Sequence, residues 1–276
     1  FAHVDTEICE EKNIIKAYKG KKENNRIYGH GVADDKCGLA TIIMAVEAVL
    51  KETELNGDLI LMSVLGKRGG SAGTLSAIAR GYKADGRIYL HPAETGHGYH
   101  EVKTYSMGTV DFVVKVRGTQ GPEADELDDS EINAVKKGSY VVQAMNDWDE
   151  ERRKRILFKE GTYAGTPKTK LNISIASSGT KVGRDPVLYE IKSRLYFGEE
   201  ETIDSVIEDL NNYFVKRFTD DEWLSSNTPE IEILNLRATP AMVSKDSDIV
   251  KITEKNISAI NGIEKFIYQY HGASDI

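Results

Sequence analysis

The sequence is short of several things, and each shortage removes a class of protein. Two cysteines, Cys9 and Cys37, in 276 residues cannot build a disulfide framework and suit a reducing cytoplasm. Apolar runs such as Leu59 to Leu65 fall far below the ~20 residues of a membrane-spanning helix. There is no basic excess: 36 Lys and Arg face 44 Asp and Glu, a net charge of −8, which argues against a broad nucleic-acid surface. The 6 prolines and 24 glycines follow no three-residue period, and a 40% hydrophobic content excludes a collagenous or disordered chain. No repeat of 20–50 residues marks a solenoid or propeller. Residue 1 is Phe, and no basic, apolar and small-residue sequence marks a signal peptide. Phe1 to Thr6 reads as the tail of a strand and Lys265 to Ile276 as a strand entering a loop, so we expect a piece of a longer protein.

What is present has an order. At ~150 residues per domain the length predicts about two domains. His3 to Thr6 reads as a strand end, and Leu39, Ile42, Ile43, Val46, Val49 and Leu50 have helical spacing. A strand at 58–65, a helix opening at Ser71 and a strand at 86–90 follow. That alternation predicts an α/β domain, a mostly parallel sheet flanked by helices. From Met107 the pattern becomes strand (109–116), helix (132–148), strands (171–176 and 188–196), helix (202–214) and strand (230–236). This is the βαββαβ order of an inserted α+β ferredoxin-like domain. We expect the α/β domain at 1–106 and 238–276 and the insertion at 107–237.

Three segments put metal-ligand types just after strands, where open α/β sheets collect ligands. In His3-Val4-Asp5 residues two apart share a side of the strand, so the carboxylate can take the ring N–H of a metal-bound imidazole. The second segment is Gly29-His30-Gly31-Val32-Ala33-Asp34-Asp35-Lys36-Cys37-Gly38, where Asp34 or Asp35 could also serve as a plain helix cap. Its spacing is not that of a phosphate-binding P-loop. The third is His91-Pro92-Ala93-Glu94.

Together with Gly69 to Thr74 and Gly272-Ala273-Ser274-Asp275, these segments closely resemble the di-zinc superfamily of aminoacylases, acetylornithine deacetylases, succinyl-diaminopimelate desuccinylases and carboxypeptidase G. The resemblance covers the whole chain in consistent order. It implies a cytoplasmic metal-dependent hydrolase of amide bonds in N-acyl amino acids or short peptides. It also implies a small-molecule substrate and a homodimer formed through the inserted domain, without nucleic acid or membrane partners. By position, His3 would bind one metal with Asp5 orienting it, Asp34 would be the bridging carboxylate, and His91 would stand where relatives have Glu or Asp. Imidazole is also a good zinc ligand.

The departures are specific. The family's Glu-Glu pair, which supplies a general base and a ligand to the second metal, falls on Lys67 and Arg68. A late His ligand falls beyond Ile276. We therefore expect one divalent metal, zinc, with the second site lost. Lys67 is a candidate replacement base only if crowding and desolvation depress its pKa, and the favoured reading is a structural or substrate-anion contact; Arg68 would sit near the second-metal position and pair with Asp34. His97, His100 and Glu94 are nearby alternatives. In the insertion, Arg194 is a candidate anchor for a substrate carboxylate or a plain strand-face arginine. Two functions stay open: a working amidohydrolase with an altered site, or an inactive relative that binds a small anionic ligand or a partner.

Overall fold

A computed structural model describes residues 1–6, 14–67, 70–92, 96–119, 132–159, 163–183 and 185–271. The expected sites at Arg68, Glu94 and Gly272 to Asp275 lie outside them. Two compact units are distinguished, one from residues 1–104 and 243–268, the other from 105–242 with 269–271. No helix among the described residues is long and apolar enough to cross a membrane.

The first unit begins with β1 (Ala2–His3), α1 (Ile14–Tyr18) and a hairpin of β2 (Lys21–Glu23) and β3 (Arg26–Tyr28). The hairpin turns at Asn24 and Asn25, both at positive φ, a conformation asparagine tolerates better than most residues. A tight turn at Val32–Lys36 leads into α2 (Cys37–Glu52), followed by β4 (Ser63–Val64) and α3 (Ala72–Ala79). β1 and β4 pair in parallel, Ala2 beside Ser63 and His3 beside Val64. On the other side of β1, the Phe1 amine donates to Ile88 O at 2.7 Å and Leu90 N–H to Phe1 O at 3.2 Å, the bonding pattern of a parallel pair.

The strands expected at 58–65 and 86–90 are therefore largely extended chain, with a ladder only at Ser63–Val64. Their shared neighbour β1 is two residues long and offers few main-chain groups to pair with. The same shortness limits burial. The apolar set on α2 leaves Ile43, Met44, Val49 and Leu50 exposed, as are Leu75 and Ile78 on α3.

Next come β5 (Glu101–Ser106), β6 (Gly108–Arg117), α4 (Ala134–Arg155), β7 (Lys170–Ser178), β8 (Leu188–Phe197), α5 (Ile203–Arg217) and β9 (Glu230–Ala238). β6 to β9 form one antiparallel sheet in the order β7-β8-β6-β9. The core joins Phe112 and Val114 of β6, Met145 and Trp148 of α4, Leu195 of β8 and Leu210 and Phe214 of α5, all essentially buried. Each such side chain contributes ~1.5–3 kcal/mol on transfer from water. α5 starts with reciprocal bonds between Thr202 and Ser205, which satisfy two otherwise unpaired donors at its first turn. The chain finishes with β10 (Ala241–Met242), α6 (Asp248–Asn261) and β11 (Ile267–His271); β10 and β11 flank β5.

The second unit also uses half-buried charge as a fastener. Asp221 accepts both contacts of Lys137 Nζ at 2.8 Å and the N–H groups of Trp223 and Leu224 at 3.0 and 2.8 Å. Burial pushes the Asp221 carboxyl up, but those three partners outweigh it and hold the group below its ordinary value. An acid depressed in the folded state stabilises above its unfolded pKa, and that contribution is lost as pH falls through the folded pKa. Asp221→Asn should cost ~1–3 kcal/mol near neutral pH. Thermal melts of the two proteins should converge below about pH 4, and a gap independent of pH would contradict this account.

Candidate metal centre

His3 ends β1, Asp34 lies in the Val32–Lys36 turn, and His91 follows the extended segment 86–90 that borders β1. Gly31, at φ 75, lets the chain enter the turn in a left-handed conformation. Within the turn Asp34 (φ −117, ψ 92) leaves helical geometry before α2 starts. Lys36 Nζ donates to Val4 O at 2.9 Å, tying the turn to the end of β1.

These elements bring His3, Asp34 and His91 together, with one donor atom from each within 4.8 Å of the others. His3 Nε2 lies 2.8 Å and His91 Nε2 3.2 Å from the same oxygen, Asp34 Oδ1. Both rings have their other nitrogen against an acceptor. His3 Nδ1 is 2.9 Å from Asp5 O, with the Asp5 carboxylate at 3.5 Å, and His91 Nδ1 is 3.2 Å from Pro92 O. A carbonyl oxygen only accepts, so each Nδ1 is placed to donate, and Nε2 is the nitrogen each ring turns to the carboxylate. There it either donates a hydrogen to Asp34 Oδ1 or offers a lone pair to a cation held beside that oxygen.

The donor set fits such a cation. Tetrahedral zinc with bonds of ~2.1 Å holds neighbouring donors about 3.4 Å apart and accepts two imidazoles, a carboxylate and an open position. His3 is fully buried, whereas Asp34 keeps partial access to solvent. Tyr89 packs beside both rings, its centroid 5.3 Å from His91 and 6.4 Å from His3. It stands two residues before His91 and so on the same side of an extended segment, a relation the sequence spacing carries.

Asp35 is the larger omission. Its carboxylate is fully buried, and Oδ2 accepts the His3 main-chain N–H at 3.2 Å, so it ties β1 to the turn. Oδ1 has no hydrogen-bond partner among the described residues. Burial is the largest influence on this carboxyl and pushes it up to about 6. The sequence offered only an Asp-Asp pair, in which either residue could have been a cap.

Lys67 has two contacts at the site. Its main-chain N–H reaches Asp5 Oδ1 at 3.4 Å and its ammonium lies 3.4 Å from His91 Nε2. Arg194, in the second unit, commits Nε and Nη2 to the carboxylate of Asp111 on the neighbouring strand, at 2.7 and 3.0 Å. That forked hydrogen bond raises the guanidinium's pKa further and accounts for the arginine as a cross-strand pair. His97 and His100 are exposed, the latter with Nδ1 3.3 Å from Lys265 O.

The family model for peptidase family M20/M25/M40 matches residues 1–276. The chain belongs to that family. It is 28% identical over 226 residues to the N-formyl-4-amino-5-aminomethyl-2-methylpyrimidine deformylase of Bacillus subtilis (strain 168), covering 75% of this chain and 49% of that protein. It is 27% identical over 206 residues to the succinyl-diaminopimelate desuccinylase of Thioalkalivibrio sulfidiphilus, covering 71% and 51%. The chain thus spans about half the length of these curated relatives. In fold it resembles an M20 family metallo-carboxypeptidase of Sulfolobus solfataricus, with a TM-score of 0.70 and 17% identity over 99% of this chain and 71% of the other. The α/β fold expected from the motifs is the fold of this family.

Close packing under the site gives a test. A β-carbon at Gly38 would run into Asp35 Oδ1 and stand 2.6 Å from Leu90 O. Gly38→Ala should therefore push the turn and the 86–90 segment apart, costing ~1–3 kcal/mol and weakening zinc binding in calorimetry. Unchanged melting and binding would show that this approach is not a constraint.

Proposed function

We propose that this chain carries the metal-binding part of a hydrolase that cleaves amide bonds in N-acyl amines, N-acyl amino acids or short peptides. The observation that carries the reading is the convergence of His3 Nε2, His91 Nε2 and Asp34 Oδ1, with both Nδ1 atoms held by main-chain carbonyls. In this reading the three side chains hold one divalent ion, zinc by donor chemistry. When bound, such an ion supplies Lewis-acid polarisation of an amide carbonyl and favours ionisation of water. The chain's own contribution is to orient the ligands. Asp5 O and Pro92 O orient the rings, Asp35 ties the His3 main chain to the turn, and Tyr89 packs beside both imidazoles. Membership of the M20/M25/M40 family and likeness to a deformylase and a desuccinylase support an amide substrate.

Isothermal titration should find one zinc per chain. His3→Ala and His91→Ala should each weaken binding at least ~100-fold, beyond the 10- to 100-fold typical of outer-shell changes. Chelation should abolish hydrolysis of N-formyl, N-succinyl and dipeptide substrates. Failure of the wild-type chain to bind zinc would overturn the reading.

A second reading, an inactive relative that keeps the pocket for a small anionic ligand, draws support from the Lys67 ammonium beside His91. Zinc binding without turnover of any substrate in the panel would select it. We also propose that the second unit serves self-association, an idea supported by the two edge strands β7 and β9 of its sheet. Sedimentation at micromolar concentration should show a dimer, and a monomer there would remove the proposal.

A further inference from the structure

We infer that Lys67 competes with the metal ion for His91 and so sets the occupancy of the site, an inference that rests on the metal-binding reading above. Two observations carry it. The His91 ring is held with Nδ1 against Pro92 O at 3.2 Å, which leaves Nε2 as the acceptor. Besides Asp34 Oδ1 at 3.2 Å, the Lys67 ammonium faces that nitrogen at 3.4 Å, and an ammonium has three donors and no lone pair.

Lys67 thus occupies the same lone pair that a metal ion needs. A second cation within a few ångströms of this ammonium would also meet direct charge repulsion in a half-buried setting. Binding of an ion at His3, Asp34 and His91 therefore requires the Lys67 side chain to swing away from His91. The main chain of Lys67 is tied by its N–H to Asp5 Oδ1 at 3.4 Å, so the displacement falls on the rotamers of its four-carbon stem. Position 67 acts on the ion through His91; it is a positioning residue, and its role is to hold the empty site together and to lower its affinity.

The test uses the intact chain, with zinc as the probe and binding constants from competition with a chelating dye. Lys67→Met and Lys67→Gln remove the charge, and Lys67→Arg keeps it. The charge-removing variants should bind zinc at least ~10-fold more tightly than wild type, a factor that corresponds to a single charge-assisted contact. Lys67→Arg should stay near wild type. Melting of the metal-free proteins should move the opposite way, with Lys67→Met and Lys67→Gln less stable because His91 has lost its donor. A merely structural lysine would lower stability and zinc affinity together. If the charge-removing variants bind zinc no more tightly than wild type while His3→Ala loses it, the competition is refuted and the metal site stands. If neither wild type nor these variants bind zinc, the metal-binding reading fails and takes this inference with it.

Discussion

The site depends on one electrostatic constraint, the meeting of two ring nitrogens on a single carboxylate oxygen. Asp34 Oδ1 is 2.8 Å from one Nε2 and 3.2 Å from the other, and contacts on the far side of each ring fix which nitrogen faces inward. A carboxylate between two imidazoles is an arrangement that binds positive charge, as protons on the rings or as a cation among them. The surrounding contacts hold that geometry in place: Lys36 on Val4 O and Asp35 on the His3 N–H.

The two units solve their packing differently. The second has a conventional apolar core between a four-stranded sheet and two helices, with Phe112, Trp148 and Leu210 at its centre. Its charges include cross-strand pairs such as Arg117 with Glu230 and Arg194 with Asp111. In the first unit fewer apolar side chains are buried, Ala2, Val64, Val250 and Ile263 among them, and much of the cohesion passes through polar ties to main-chain atoms.

How much could be read in advance follows from this contrast. Helices α4 and α5 and strands β6 and β8 were legible because their apolar residues recur with the period of their element against a real core, whereas β7 and β9 were legible from composition, since Ile175, Ile233, Leu234 and Leu236 are exposed; α4 simply continues to Arg155, through a charged stretch whose Arg152 is buried against Asp209 and Glu201. The segments 58–62 and 86–90 have strand-like composition, yet composition cannot report the length of the neighbour they must pair with. The hairpin at Asn24-Asn25 carried a usable turn signal that was passed over. At the site, residue types marked three segments, and it was the family resemblance that pointed to His3, Asp34 and His91 as a group. The role of Asp35 was hidden, since its partner is a main-chain N–H that no sequence pattern displays, and so was the approach of the Lys67 ammonium to His91.

Ring orientation at this site is set by oxygens of the polypeptide itself, those of residues 5 and 92. At residue 92 the imidazole is aimed by the path of the chain, whatever the side chain there, while at residue 5 the carboxylate adds a contact of its own with Lys67. Divergence should accumulate around the ligands faster than it does in them, and distant members could retain the same grip with little identity to show for it.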